Sequence, residues 1–434
     1  MRTLLALSLC ILAGNVLAQA PEPAQPPDLP LAVQPPDLPL AAQVKIALER
    51  DPMVRAAMSG IGYEQTQQQR LDAGSYEFAV RGDAARRRVT EPEIPGNFNE
   101  WGVALERPLR LPNKGSLDRN LGAQGVSVAR LSAGDAMHEA GRSLLRLWFA
   151  WMKENAQLAV WQQQAELARQ QQATVQKRKR AGDAPKMELN LAEAAAIQAE
   201  SSAAQARSRE VTARNTLVRT FPAITVPEKA TLAEPSALAE GVDFWNEQIL
   251  NHNHQLAAAR AEVTRRELLT KRANAERMPD PTVGIRYSNE LGGTEKVTGL
   301  YFTIPLPGSA RTAARDGTRF QTEQAQDREA AVLRQVEVEI ATAVESANAN
   351  YQTWQQLRRA ADGMRQHAEL TSRAYQLGEA GLPEVLVARR MALESELTAM
   401  TAQLDAQESR YRLLLDAHRL WPMDPGEAAN GNVH

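Results

Sequence analysis

The 434-residue chain has one cysteine, few aromatics (5%) and 50 basic against 52 acidic residues for a formal charge of −2. After its first twenty residues it also lacks any apolar run near the roughly 20 residues that a membrane-spanning helix needs. Each shortage excludes something. A single cysteine, Cys10, permits neither a disulfide framework nor a thiolate metal site. Balanced charge leaves no footprint for nucleic acid as a partner. Scarce aromatics, with a 43% hydrophobic fraction that leans on alanine, exclude a thick globular core. The missing apolar run excludes bundled transmembrane helices. What is there, a polar chain rich in Ala, Gln, Arg and Glu with mean hydropathy −0.42, has the profile of long packed helices.

Residues 1–18 read as a secretory signal peptide: a basic start at Arg2, an apolar stretch from Leu4 to Ala13, and Val16-Leu17-Ala18 ahead of Gln19. Leu9 precedes Cys10 and the apolar run has barely begun there, which disfavours lipid attachment. Residues 19–42 contain a duplication, Pro26-Pro27-Asp28-Leu29-Pro30-Leu31-Ala32 and Pro35-Pro36-Asp37-Leu38-Pro39-Leu40-Ala41. Proline at this density keeps a backbone extended, so a semi-rigid tether is expected. Residues 423–434 form a polar tail.

Between these ends the same order of elements runs twice, over 43–225 and 226–422. Helices are expected at 43–73, 113–180 and 184–219, then at 236–277, 309–377 and 384–420. A β-hairpin falls at 76–107 in the first copy and at 282–306 in the second, and tight turns fall at 181–185 and 378–383. Gly182 follows Pro108 by 74 residues and Gly378 follows Pro305 by 73, so the two longest helices match in length. Unbroken, each would reach about 100 Å.

Such helices need partners. Leu333, Val336, Ile340, Val344, Ala347, Tyr351 and Trp354 recur every three or four residues, the seam of a left-handed coiled coil. Leu393, Leu397, Met400, Leu404, Tyr411 and Leu414 keep the rhythm with Gln407 as the polar member. Leu144, Trp148, Trp151, Leu158, Trp161, Ala165 and Ala168 do likewise around Asn155. These stripes predict packing, not chemistry.

The strands alternate. Trp101, Val103 and Leu105 interleave with Gly102, Ala104 and Glu106; Val283, Ile285 and Tyr287 interleave with Gly284, Arg286 and Ser288. Seven of the 21 aromatics (Tyr76, Phe78, Phe98, Trp101, Tyr287, Tyr301 and Phe302) fall in the four strand segments. That enrichment fits the aromatic belts of an outer-membrane barrel, with Tyr76, Phe78, Trp101, Tyr287 and Tyr301 as its expected members. A soluble sandwich edge is the competing reading. Four strands cannot close a barrel, and open edges in lipid leave backbone groups unsatisfied, so a barrel requires several chains.

Export signal, proline-rich segment, two hairpins and paired very long helices in tandem resemble the TolC-like outer-membrane efflux proteins over about residues 43–422. The most specific match is Tyr375-Gln376-Leu377-Gly378-Glu379-Ala380-Gly381-Leu382-Pro383-Glu384-Val385-Leu386, similar to the family's Tyr-x-x-Gly motif followed by an acidic-Val-Leu stretch. The first copy, Lys179-Arg180-Ala181-Gly182-Asp183-Ala184-Pro185-Lys186-Met187-Glu188-Leu189, has Lys179 in place of the tyrosine. The wording of the turns is closest to the cobalt-zinc-cadmium type. The resemblance implies a mainly α chain with a small β part. It implies a homotrimer whose twelve strands close one barrel in the outer membrane of a Gram-negative bacterium, continued by a periplasmic helical tunnel. Implied partners are a periplasmic adaptor (membrane fusion) protein, a resistance-nodulation-division pump in the inner membrane, and lipid. Implied cargo is heavy-metal cations, with drugs or a secreted polypeptide as the alternative, and no cofactor.

In that arrangement the turns at Gly182 and Gly378 share the periplasmic tip. Glu188 and Glu384 each follow their glycine by six residues, so a trimer would place six carboxylates at one constriction, and acidic rings favour cations. The bland alternative is a pair of solvated first-turn carboxylates. By resemblance Glu384 matches the first of two gate aspartates and Val387 stands where the second would be, while Tyr375 would form the inter-helix bond that holds the entrance shut. Gly182, Asp183, Pro185, Gly378, Glu379, Gly381, Leu382 and Pro383, with the basic run Lys177 to Arg180, are the expected exposed contacts for the adaptor.

No catalytic motif occurs, so an enzyme is not expected. Asn251-His252-Asn253-His254 is the one histidine cluster; without a third ligand nearby it reads as the start of a helix, not a metal site. A periplasmic coiled-coil scaffold without a pore is the rival of a different class, and it has no use for aromatic-rich hairpins.

Overall fold

A computed structural model describes residues 35–421. The expected signal peptide (1–18), the first part of the expected tether (19–34) and the tail (423–434) lie outside the described residues.

The elements recur in the same order with nearly equal lengths. In the first half α1 (Ala41–Glu49) and α2 (Pro52–Ala73) precede β1 (Ala79–Val89) and β2 (Gly96–Pro108), then α3 (Lys114–Arg180, 67 residues) and α4 (Lys186–Thr220, 35 residues). In the second, α5 (Val242–His252) and α6 (His254–Ala275) precede β3 (Thr282–Glu290) and β4 (Glu295–Thr303), then α7 (Ser309–Leu377, 69 residues) and α8 (Leu382–Asp416, 35 residues). The single helices expected over 43–73 and 236–277 are each split in two. Asp51 breaks the first: its carboxylate accepts from the backbone N–H of Met53 (2.8 Å) and Val54 (3.2 Å), capping a new helix at Pro52. Asn253 does the same for α6 through Leu256 N–H at 2.7 Å.

Each long helix is flanked along its length by two shorter ones. Helix α2 packs beside the start of α3 and α4 beside its end, and α6 and α8 relate in the same way to α7. The predicted seams are the buried faces. Val336, Ile340, Val344, Ala347 and Trp354 are buried on α7, Leu393, Leu404, Gln407 and Tyr411 on α8, and Leu144, Trp148, Trp151, Ala165 and Ala168 on α3. Towards the tip the seam narrows to Ala165 and Ala168 against Ala196 and Ala199, where small side chains let two helix backbones approach.

The polar members of the seams are anchors for non-helical chain. Asn155 donates to Glu228 O (3.0 Å) and accepts from Ala230 N–H (2.9 Å), tying the 221–241 crossover to α3. Gln407 and Tyr411 both donate to Asp37, at 3.3 and 2.8 Å, and Trp148 Nε1 donates to the Asp37 carbonyl at 2.8 Å. Residues 35–40 are therefore no free tether: Asp37 (2% exposed) and Leu38 (7%) sit in the core, where three buried donors meet the oxygens of Asp37.

The strands form one antiparallel sheet in the order β1-β2-β3-β4, so the two hairpins are joined through β2 and β3 while β1 and β4 are edges. Register separates the faces. Val80, Trp101, Val103, Leu105, Val283, Ile285, Tyr287, Leu300 and Phe302 share one face. Eight of these nine are exposed, Tyr287 being half-buried, with Leu300 at 83% and Phe302 at 74%. The opposite face carries ion pairs: Arg81–Glu106 (3.0 Å), Arg87–Glu100 (2.9 Å), Arg87–Glu290 (3.1 Å) and Arg286–Asp83 (3.3 Å). No helix among the described residues is long and apolar enough to cross a membrane.

Candidate functional site

Both long helices end the same way. Gly182 and Gly378 sit at φ +82°, a left-handed conformation that strains any residue with a Cβ. The next N–H reaches back over the turn, Asp183 to Arg178 O and Glu379 to Ala374 O, each at 2.9 Å, closing each helix with the 6→1 bond of a Schellman motif. The two turns then pack together: Val175, Leu189, Ala192 and Leu382 form one buried cluster with Tyr375 and Leu386 against it.

Over this cluster lies a polar clamp. Arg178 Nε donates to Asp183 Oδ2 (2.9 Å), while Nη1 reaches both Glu188 Oε1 (3.0 Å) and Tyr375 Oη (2.7 Å). Tyr375 donates to the same Glu188 oxygen. Burial, then the Glu188 hydrogen bond, push the Tyr375 hydroxyl up to about 12, so it keeps its proton and remains a donor at physiological pH. Glu188 on α4 is thus held by α3 and α7 together.

The two glutamates are not equivalent. Glu188 is partly buried and neutralised by Arg178, whereas Glu384 Oε2 accepts from Gly381 N–H at 2.7 Å and caps its own helix. Their sequence positions match, but Lys186 and Met187 are not the Leu382-Pro383 pair that turns Glu384 back on its own cap. Leu382, expected among the exposed contacts, is 2% exposed and holds the turns together. Gly182, Asp183, Pro185, Gly378, Glu379, Gly381 and Pro383 remain at the surface. A groove between α7 and α8 beside the turns is lined by Leu370, Ala374, Pro383 and Val387.

At the other end, the sheet divides the expected aromatic belt. Trp101 and Tyr287 lie on the apolar face with ring centroids 5.7 Å apart. Beyond Trp101 that face turns polar at Arg86, Arg88, Asn97, Asn99 and Lys296, which bounds the apolar band. Phe78, 64% exposed, precedes β1 with Arg107 4.8 Å from its ring centre. Tyr301 is on the opposite face, donating to Glu106 at 2.7 Å, because it is one residue out of step with Leu300 and Phe302. Tyr76 is outside the strands: its hydroxyl donates to Asp280 at 2.8 Å.

Tyr76 belongs to a charged collar that sequence reasoning missed. Lys114, 1% exposed, lies 2.9 Å from Asp280 and 3.3 Å from Glu276. Arg110 and Arg272 hold Asp118 from two sides at 2.7 and 2.6 Å, and Arg311 binds Glu276 at 3.0 Å. This collar fixes the ends of α2 and α6 and the starts of α3 and α7 beneath the sheet. Its members lie up to about 240 positions apart, so no local spacing reveals it.

Residues 245–415 match the family model of outer membrane efflux proteins. Among solved structures, the chain resembles the CmeC outer membrane channel of Campylobacter jejuni with 13% identity and TM-score 0.71, over 90% of this chain and 87% of that one. A membrane protein from Pseudomonas aeruginosa gives 17% and 0.73 over 87% and 92%. The outer membrane protein VceC from Vibrio cholerae gives 19% and 0.70 over 87% and 95%. The fold is that of outer-membrane efflux channels. No curated protein matches the sequence significantly. Among the described residues no group of three or more His, Cys, Asp or Glu is arranged to hold a metal ion.

Proposed function

We propose that this chain is one third of an outer-membrane efflux channel. Three four-stranded sheets join edge to edge, β4 of one protomer to β1 of the next, and close a twelve-stranded barrel. The long helices continue it as a periplasmic tunnel. One observation carries this: a sheet with an exposed apolar face, an ion-paired opposite face and two open edges, standing on helices of about 100 Å. Barrel closure removes both edges, lipid covers the apolar face, and the ion pairs line a wet lumen. A pore-free scaffold would leave that apolar face in water.

In this reading the tip is the gate, and the Arg178–Glu188–Tyr375 clamp holds it closed. Opening separates α7 from the α3–α4 turn and breaks the bonds on Glu188. The exposed carboxylate available to cations is then Glu384, with Glu188 joining only when Arg178 lets go. The tip surface around Asp183, Glu379 and the Lys177–Arg180 run meets a periplasmic adaptor, which couples the channel to an inner-membrane resistance-nodulation-division pump. Heavy-metal cations such as cobalt, zinc, cadmium or copper are the proposed cargo, on the likeness of the tip turns. The channel is a passive conduit and needs neither cofactor nor catalytic residue. Fractionation tests the membrane placement: the protein should enter the outer membrane and migrate as a heat-sensitive trimer. Recovery as a soluble periplasmic protein would contradict it.

A further inference from the structure

The chain has six histidines, and four of them meet. His138 is on α3, His252 ends α5, His254 begins α6, and His418 follows α8. His418 is the hub: its ring centre lies 5.5 Å from those of His138 and His252 and 5.1 Å from that of His254. The His138 ring stacks on it with 22° between the planes.

Two backbone features serve this cluster. His418 has φ +56°, at the position after α8 where the Arg419 N–H closes the helix on Leu414 O at 2.7 Å and where glycine or asparagine ordinarily stands. A histidine there carries a conformational cost and gains the central place among the rings. On α3, one turn before His138, Gly134 leaves the room that His254 fills; a Cβ at 134 would come within 2.7 Å of that ring.

The charged surroundings set the response. From α3 the neighbouring groups are Asp135, Glu139 and Arg142; from α8 they are Arg412 and Asp416; beyond α8, Arg419 lies over Phe244 of α5. Asp416 is 3.6 Å from His138, yet it is already bound by Arg142 at 2.9 Å and Arg412 at 3.0 Å. Burial first, and then Arg142, hold the His138 imidazole down at about 3 against an ordinary 6.5. Protons added here enter a patch that already contains a half-buried guanidinium.

We propose that the four-imidazole cluster is a proton-responsive latch. Uncharged, its packed rings hold the α5–α6 joint against α3 and the end of α8; on acidification cationic imidazoles repel one another and Arg142, and the joint is released. The sign follows from His138. Its value in the closed state lies below that of a free histidine, so the released state binds more protons between pH 6.5 and about 3. Latch stability is complete above that window and falls as the pH drops through it.

Hydrogen exchange on the full-length protein in detergent, corrected for intrinsic rates, tests this without reference to conductance. Protection of residues 242–256 is expected to fall about tenfold between pH 7.5 and 5.5, the response to one pKa unit of coupling. His418→Asn, which tolerates the backbone angle, and His252→Gln, at the exposed rim, should each reduce the change to about threefold or less. An unchanged pH response in both variants would overturn the proposal. Equimolar zinc sulfate at pH 7.5 is expected to leave protection unaltered; a zinc-induced rise lost in His418→Asn would overturn it in favour of a metal site.

Discussion

Arg178 and Tyr375, 197 residues apart in the chain, meet at the helical tip with Nη1 2.7 Å from Oη, and both close on the same oxygen of Glu188. One carboxylate thereby joins α3, α4 and α7. Because the hydroxyl is held in its protonated form, the contact is a lasting donor bond from Tyr375, supplemented by a charge-assisted one from Arg178.

Tyr375→Phe keeps the ring in the apolar cluster and removes only the hydroxyl. The loss is about 1 kcal/mol of tip stability, since the site is partly solvated. Recorded in planar bilayers, the variant should spend more time open than the native channel. An identical open probability would show that the clamp does not restrain the gate.

The sheet faces predict opposite outcomes for two arginine changes. Leu300→Arg puts a charge on the apolar face and should cost about 2–4 kcal/mol if it meets the lipid midplane, seen as loss of the heat-sensitive trimer from outer-membrane fractions. Arg286→Ala, on the ion-paired face, removes one exposed pair worth under about 1 kcal/mol and should assemble normally while altering ion selectivity. Equal tolerance of both would remove the distinction between lipid and lumen.

Asp37→Ala leaves the Tyr411 hydroxyl in the core without its acceptor, while the Gln407 amide nitrogen keeps only its bond to the Tyr411 oxygen. About 1–3 kcal/mol of stability should be lost, read as a lower melting temperature in detergent. Asp51→Ala, a cap at the surface, should cost only about 1 kcal/mol. If the two melt alike, residues 35–40 do not act as a strap.

What the sequence showed were patterns with a period. The 3.5-residue stripes and the alternation through Trp101, Val103 and Leu105 are local, and they set the helices, the seams and the apolar face. Meetings between distant residues were not legible. Leu382 looked exposed because its turn is glycine-rich, yet the partner turn covers it. Tyr301 looked like a belt residue until register placed it opposite Leu300 and Phe302. Equal spacing from Gly182 and Gly378 made Glu188 and Glu384 look alike, but Arg178 has no counterpart beside Glu384. His252 and His254 lacked a third neighbour in sequence, and the structure brings His138 and His418 to them.

Barrel closure between protomers is the claim on which the rest depends. Cys10, the one natural cysteine, falls in the expected signal peptide, so paired cysteines can be placed in an otherwise thiol-free mature chain. Ala84→Cys or Ala85→Cys at the centre of β1, combined in turn with Thr298→Cys or Gly299→Cys at the centre of β4, scans the registers available to the two edges. Mild oxidation of membranes followed by denaturing electrophoresis should give, for one pairing, a covalent ladder that stops at three chains. A single covalent species of one chain in every pairing, or a ladder running past three, would contradict the account.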